Sequence, residues 1–165
     1  MPNNATIRNT STNIERFIKE VISQNYHNIY GSYYYIPKKS RVIEDILLGI
    51  PLTPVLVNLN PSGSGIVGTI ETSNGLVESL RQFIENEFRL KMLKQFPFLN
   101  GRRFSQMRIE ERERILNFPI SVTYVSGESN FINRIRNGMK GLTVNAKRST
   151  RFGRSYWDRR SGREE

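Results

Sequence analysis

The chain has 165 residues, of which 37% are apolar, and this length predicts one globular domain with one hydrophobic core. It carries a net charge of +10, contains no cysteine and has a single histidine, His27. Disulfides, thiolate catalysis, thiol-based zinc sites and almost every histidine-dependent mechanism are therefore excluded. No apolar run approaches the roughly 20 residues of a membrane span, and the N-terminus lacks the apolar core of a secretory signal, so we expect a soluble protein with no membrane partner.

The N-terminal part of the chain changes at residue 12 from a polar segment to a predicted helix. Residues 1–11 are polar and rich in asparagine, which predicts a flexible extension. Thr12 and Glu15 fit a capping box, and the helical spacing of the apolar residues that follow predicts a helix through Ile22. A run of tyrosines comes next and is typical of half-buried packing, with base stacking as the alternative: Tyr26, Tyr30, Tyr33, Tyr34 and Tyr35.

The segment from Arg41 to Phe88 predicts a helix, a strand, a glycine-rich turn, a second strand and a second helix. Gly49 stands where a left-handed helix C-cap belongs, and the β-prone residues 55–59 follow two prolines. The turn over residues 60–65 leads into a strand over residues 66–71, and Ser73 can cap the second helix. The glycines of the turn do not lead into a helix, so a plain hairpin is favoured over a phosphate-binding loop.

The last predicted elements lie between residues 105 and 138. A short helix is expected within residues 105–117, with Ile109, Ile115 and Leu116 facing inward and Glu110 paired with Arg114. Residues 120–125 alternate in polarity and predict a strand. Ser126 or Ser129 can then cap a helix that Gly138 would end. Together these elements predict an α/β (α+β) fold, a small sheet with packed helices.

The positive charge is concentrated at the C-terminal end of the chain. Residues 1–128 hold 15 basic and 12 acidic side chains, whereas residues 129–165 hold 10 and 3 and therefore contribute +7 of the +10. Arginine forks match phosphate geometry and counterion release favours binding, so this asymmetry predicts a nucleic-acid partner, DNA or RNA. A solubilising tail, or docking on an acidic protein surface with Trp157 as an anchor, is the alternative.

From Asn145 onward the chain has no apolar periodicity and interleaves arginines with Phe152, Tyr156 and Trp157, a composition suited to single-stranded or structured nucleic acid. We predict three regions, namely an extension over residues 1–11, a folded domain over 12–144 and an arginine-rich tail over 145–165. The predicted nucleic-acid-binding residues are Arg134, Arg136, Lys140, Lys147, Arg148, Arg151, Arg154, Trp157, Arg159 and Arg160.

The region from Ile36 to Arg148 resembles the N-terminal domain of GmrSD-type restriction endonucleases, which is related to the ParB and sulfiredoxin-like fold. The resemblance is carried by an ordered set of segments: IPKKSRVIEDILLGIPLTPVLV, LVESLRQFIENEFRL, FPFLNGRRFSQM and FINRIRNGMKGLTVNAKR. It implies a ParB/sulfiredoxin-like sheet with packed helices and a nucleic-acid context.

The chain departs from this family at the motifs associated with its chemistry. Ile36 and Pro37 run almost directly into Arg41, without the family's glutamine, arginine and tryptophan. The family's aspartate, glycine, two glutamines and arginine fall on residues 72–76, none of which matches, and a shift of one residue places only Glu71 on the aspartate. Arg136 stands where the family has an asparagine.

These departures predict a domain that has lost its catalytic motifs, uses no metal or cofactor and acts as a nucleic-acid-binding protein. A phosphoryl-transfer site needs cations or a metal to neutralise charge, and residues 71–75 offer one carboxylate and no basic residue. Two alternatives remain open. One is a structural subunit of a large ribonucleoprotein or virion assembly with fixed protein partners. The other is a residual nuclease or nucleotide hydrolase that uses Glu71.

Overall fold

The computed structural model describes residues 5–28, 34–59, 67–71 and 75–139, and within them it shows a mixed sheet with helices on both faces. The helices are α1 (Ile14–Ser23), α2 (Ile36–Leu48), α3 (Leu76–Ile84), α4 (Ile109–Leu116) and α5 (residues 129–139). The strands are β1 (Thr6–Asn13), β2 (His27–Asn28), β3 (Val55–Asn58), β4 (Thr69–Ile70) and β5 (Pro119–Ser126). The α+β prediction is confirmed at this level. None of the helices in the described residues has the length and apolar character needed to cross a membrane.

The strands lie in the order β1-β5-β3-β4-β2. The β3–β4 pair is antiparallel, as the predicted hairpin requires, and β1 is antiparallel to β5. The β3–β5 and β2–β4 pairs are parallel. The interior position of β3 explains its unbroken apolar run, because a strand covered on both faces needs apolar side chains on each.

Successive side chains of the central strands point to opposite faces of the sheet, so the core is divided between these two faces. Val55 and Val57 of β3 point into the main core with α1, α2, α3 and α4, whereas Leu56 points to the other face. There Leu56 and Val125 pack against Ile132 of α5. Helix α5 therefore covers the face of the sheet opposite the main core.

The N-terminal prediction is wrong for residues 6–11. They form the exposed edge strand β1, paired with β5 from Thr6–Ser126 to Asn13–Pro119, rather than a flexible extension. The predicted Thr12 cap is also wrong, because Thr12 lies in this strand and Asn13 is the N-cap of α1. The Asn13 side chain accepts a hydrogen bond from the Arg16 amide at 2.9 Å.

Other boundaries are partly confirmed. Gly49 is the predicted left-handed C-cap of α2, with φ 78°. Helix α3 starts after Gly75 rather than after Ser73, and both Ser73 and the turn over residues 60–65 lie outside the described residues. Helix α5 forms as predicted but continues past Gly138. In α4, Ile115 is buried, whereas the inward orientation predicted for Ile109 is wrong because its side chain is 60% exposed.

Candidate nucleic-acid interface

Helix α5 separates the two predicted nucleic-acid-binding arginines that the structure describes. Its buried Ile132 fixes the helix on the sheet, and two positions along a helix differ by about 200° around its axis. Arg134 is exposed to solvent, whereas Arg136 points towards the sheet and pairs with Glu71. The other predicted residues lie outside the described residues: Lys140, Lys147, Arg148, Arg151, Arg154, Trp157, Arg159 and Arg160.

The partner of Arg136 is a buried carboxylate at the end of β4. Glu71 is 2% exposed, and its amide donates to the Leu56 carbonyl at 2.8 Å. Asn58 and Thr69 are directly opposite each other in the β3–β4 register, and Glu71 lies two residues after Thr69. Side chains at these three positions share one face of the sheet because successive residues alternate. Since Leu56 also shares it, this is the face that α5 covers.

Both oxygens of the Glu71 carboxylate are engaged by this arrangement. Oε1 accepts hydrogen bonds from Thr69 Oγ1 at 2.9 Å and from Asn58 Nδ2 at 3.3 Å, and Oε2 accepts one from Arg136 Nη2. A general base needs a carboxylate oxygen within reach of a substrate proton, whereas this carboxylate is buried and both of its oxygens accept hydrogen bonds inside the protein. The Glu71 network, consisting of Asn58, Thr69, Glu71 and Arg136, therefore joins α5 to the hairpin.

The described residues offer little for metal chemistry. Within them no group of three or more histidine, cysteine, aspartate or glutamate side chains is close enough to hold a metal ion. Divalent cations in phosphoryl-transfer sites are held by carboxylate oxygens, and Glu71 is paired with a cation instead.

A second polar cluster joins α1 to β5 on the main-core side. Glu20 Oε1 accepts hydrogen bonds from Tyr26 Oη at 2.8 Å and from Tyr124 Oη at 2.7 Å, and the Arg8 guanidinium lies 4.7 Å from the centre of the Tyr124 ring. Burial, reinforced by the hydrogen bond to Glu20, raises the pKa of Tyr26 to about 12, and the same causes raise the pKa of Tyr124. Both phenols stay protonated at neutral pH and act as donors to one carboxylate. Tyr26 is half-buried, and its hydroxyl is hydrogen-bonded to Glu20.

A basic surface that the sequence analysis did not single out lies between α3 and α4. We define residues 89–103 as the basic loop, which contains Arg89, Lys91, Lys94, Arg102 and Arg103 and no acidic residue. It also displays Met92 and Phe98, which are 70% and 61% exposed. The run of basic residues without an acidic one is visible in the sequence, but the exposure of the two apolar side chains is not.

Comparisons with known proteins do not assign the chain to a family: no family model matches it, and no curated protein or solved structure gives a significant match. The resemblance to the GmrSD N-terminal domain therefore stays a proposal.

Proposed function

We propose that this protein is a catalytically inactive relative of GmrSD and ParB-like domains that binds nucleic acid through its basic C-terminal segment. The observation that carries the proposal is the charge distribution, since residues 129–165 contribute +7 of the net +10. Helix α5, which forms the first part of that segment, packs on the sheet through Ile132 and presents Arg134 to solvent. The folded domain would thus hold one end of a cationic, aromatic-containing arm.

The chemistry of the arm suits phosphates and bases together. Guanidinium groups donate paired hydrogen bonds to phosphate oxygens and release condensed counterions, which gives affinity without sequence specificity. Trp157 and Phe152 provide rings on which unpaired bases stack. The proposed phosphate contacts are Arg134, Lys140, Lys147, Arg148, Arg151, Arg154, Arg159 and Arg160. Arg136 is left out of this set because Glu71 engages its guanidinium.

Two features support a binding role rather than a catalytic one. The segment after β4 lacks the family's aspartate-to-arginine motif, and Glu71, the one carboxylate near that position, accepts hydrogen bonds from three side chains. A reaction at Glu71 would first have to displace Arg136 and expose a buried carboxylate, and this displacement is costly.

The chain contains one tryptophan, so fluorescence excited at a wavelength that its tyrosines absorb little reports on Trp157 alone. Titration of the full chain with oligothymidylate is expected to quench this fluorescence as bases stack on the indole, whereas inorganic polyphosphate, which has no bases, is expected to bind with little quenching. Trp157→Ala should weaken oligothymidylate binding about tenfold, since stacking contributes roughly 1–3 kcal/mol per base. Unchanged fluorescence at saturating oligothymidylate would contradict the stacking role of Trp157.

A further inference from the structure

The basic loop combines a high density of positive charge with no acidic residue of its own. Its five basic residues stand without an acidic residue in the loop. The acidic side chains nearest before it, Glu85 and Glu87, share a single cation, Arg81, with Glu78. Glu44, which lies beneath the loop, is buried and accepts hydrogen bonds from the backbone amides of Lys94 and Gln95 at 2.7 and 2.6 Å. The solvent side of the loop is therefore cationic.

The loop is anchored by hydrogen bonds although it has little regular secondary structure. Leu90 is buried, and its backbone exchanges hydrogen bonds with the Gly101 amide at 2.7 Å and the Arg102 carbonyl at 2.9 Å. Ser40 Oγ accepts from the Lys91 amide at 2.9 Å, and Asn100 Oδ1 accepts from the Leu93 amide at 2.9 Å. Because the segment is already ordered, a ligand bound there pays little conformational entropy for the loop.

The loop exposes an aromatic ring that folding alone does not require. Phe98 lies in a short 3₁₀ turn (Pro97–Leu99), and its ring contacts the Phe96 ring edge-on, with centroids 6.1 Å apart. Leu99, next to it, is buried, so the turn is anchored while Phe98 stays 61% exposed. Met92 is exposed as well, and its positive φ of 58° is uncommon for a residue with a side chain. A solvent-exposed ring in a loop with five basic residues matches a stacking platform for bases.

From these observations we propose that the basic loop is a binding surface for single-stranded nucleic acid, with Arg89, Lys91, Lys94 and Arg102 on phosphates and Phe98 against a base. Duplex DNA would satisfy the cations but keeps its base faces stacked, so the exposed ring favours a single strand. An anionic membrane is the competing partner, because exposed Phe98 and Met92 could also enter lipid. The loop is a different segment of the chain from residues 140–165, and the inference does not rest on their role.

The test uses the full chain with Arg151, Arg154, Arg159 and Arg160 changed to glutamine, so that the tail contributes little. In this background, Lys91→Gln with Lys94→Gln is compared with Arg41→Gln with Arg114→Gln, which removes the same charge from exposed helix positions. Binding to labelled oligothymidylate is measured by fluorescence anisotropy over a salt series. The loop pair is expected to weaken binding and to reduce the salt slope by about 0.7 for each lysine, whereas the control pair leaves both nearly unchanged.

Phe98 is tested separately, because stacking should not depend on salt. Phe98→Ala is expected to weaken oligothymidylate binding about tenfold and Phe98→Tyr to keep it, with Ile109→Ala as the matched exposed apolar control. Equal binding by the loop and control variants would overturn the inference, as would binding to phosphatidylserine vesicles without binding to oligothymidylate. If only the tail substitutions have an effect, the loop inference fails and the proposed function stands. If only the loop substitutions have an effect, the loop inference stands and the proposed role of the C-terminal segment fails.

Discussion

The Arg136 guanidinium donates a hydrogen bond to the buried Glu71 carboxylate and so links α5 to the end of β4 across 65 positions of sequence. Glu71 is 2% exposed, and its carboxylate also accepts hydrogen bonds from Thr69 and Asn58. The pair therefore helps to hold α5 on the face of the sheet opposite the main core. Under the proposed GmrSD relationship, Arg136 would stand in place of an asparagine and Glu71 would adjoin the position of the aspartate motif.

Removing Arg136 should destabilise the fold, because it leaves the Glu71 carboxylate buried without its cation. For Arg136→Leu we expect a loss of about 2–4 kcal/mol in the free energy of unfolding, at or below the usual range for a broken buried pair since Arg136 is partly exposed. Urea unfolding followed by circular dichroism measures this. Arg134→Leu, two residues away and exposed, should change the stability by less than about 0.5 kcal/mol.

A double-mutant cycle isolates the Glu71–Arg136 pair from general effects on α5. Glu71→Gln in the Arg136→Leu background removes the unpaired charge and is expected to recover part of the lost stability. If Arg136→Leu proves as stable as Arg134→Leu, the ion pair does not hold α5 on the sheet.

Glu44 should control the order of the basic loop. Its carboxylate accepts from two backbone amides, so Glu44→Ala leaves the Lys94 and Gln95 amides without this partner and is expected to cost about 2 kcal/mol. Hydrogen exchange at these two amides should accelerate more than exchange in β5. Glu44→Gln keeps a carbonyl oxygen and should lose less, while Glu110→Ala on the exposed part of α4 serves as a control. Unchanged protection in Glu44→Ala would show that the loop is held without it.

The tyrosines bound to Glu20 should make the protein sensitive to alkali. The folded-state pKa of Tyr26, about 12, lies above its ordinary value of 10. The unfolded chain therefore loses this proton at a lower pH than the folded protein does. The contribution of Tyr26 to the free energy of unfolding should be complete below pH 10 and should fall as the pH rises from about 10 to 12. Tyr26→Phe should flatten this decline, whereas Tyr35→Phe, which changes an exposed ring, should not. Chemical unfolding at a series of pH values provides the measurement, and identical slopes in both variants would contradict the assignment.

The proposed lack of catalytic activity is also testable. We expect no cleavage of labelled DNA or RNA by the full chain with Mg²⁺, Mn²⁺ or without metal, because the Glu71 carboxylate is buried and paired with Arg136. Metal-dependent cleavage that Glu71→Gln abolishes would instead establish the residual nuclease.

Local signals in the sequence predicted much of the fold. Features that depend on neighbouring residues could be predicted. They are the apolar spacing of α1 and α3, the C-cap at Gly49 and the hairpin pairing of β3 with β4. Strand β1 was missed because an edge strand exposed on both faces carries no apolar alternation. Its pairing with β5 depends on residues more than 100 positions away.

The candidate site was less predictable for the same physical reason. That Arg136 would turn inward while Arg134 stayed in solvent depends on the rotation of α5, which its contact with Leu56 and Val125 sets. The partner of Arg136 depends on the β3–β4 register. Neither the orientation of the two arginines nor the partner of Arg136 can be predicted from the basic composition on which both were assigned to nucleic-acid binding. The exposure of Phe98 beside a buried Leu99 likewise follows from tertiary packing.

The most direct test of the account is a salt series of fluorescence-anisotropy binding to labelled single-stranded DNA, duplex DNA and structured RNA. The unchanged chain is compared with the variant in which Arg151, Arg154, Arg159 and Arg160 are glutamine, and with a control in which Arg16, Arg41, Arg108 and Arg114, all exposed, are glutamine. We expect steep salt dependence in the unchanged chain and the control, and a slope reduced by about 3 for single-stranded DNA in the tail variant. Binding that is insensitive to salt, or equal in the tail and control variants, would contradict a phosphate-binding C-terminal segment.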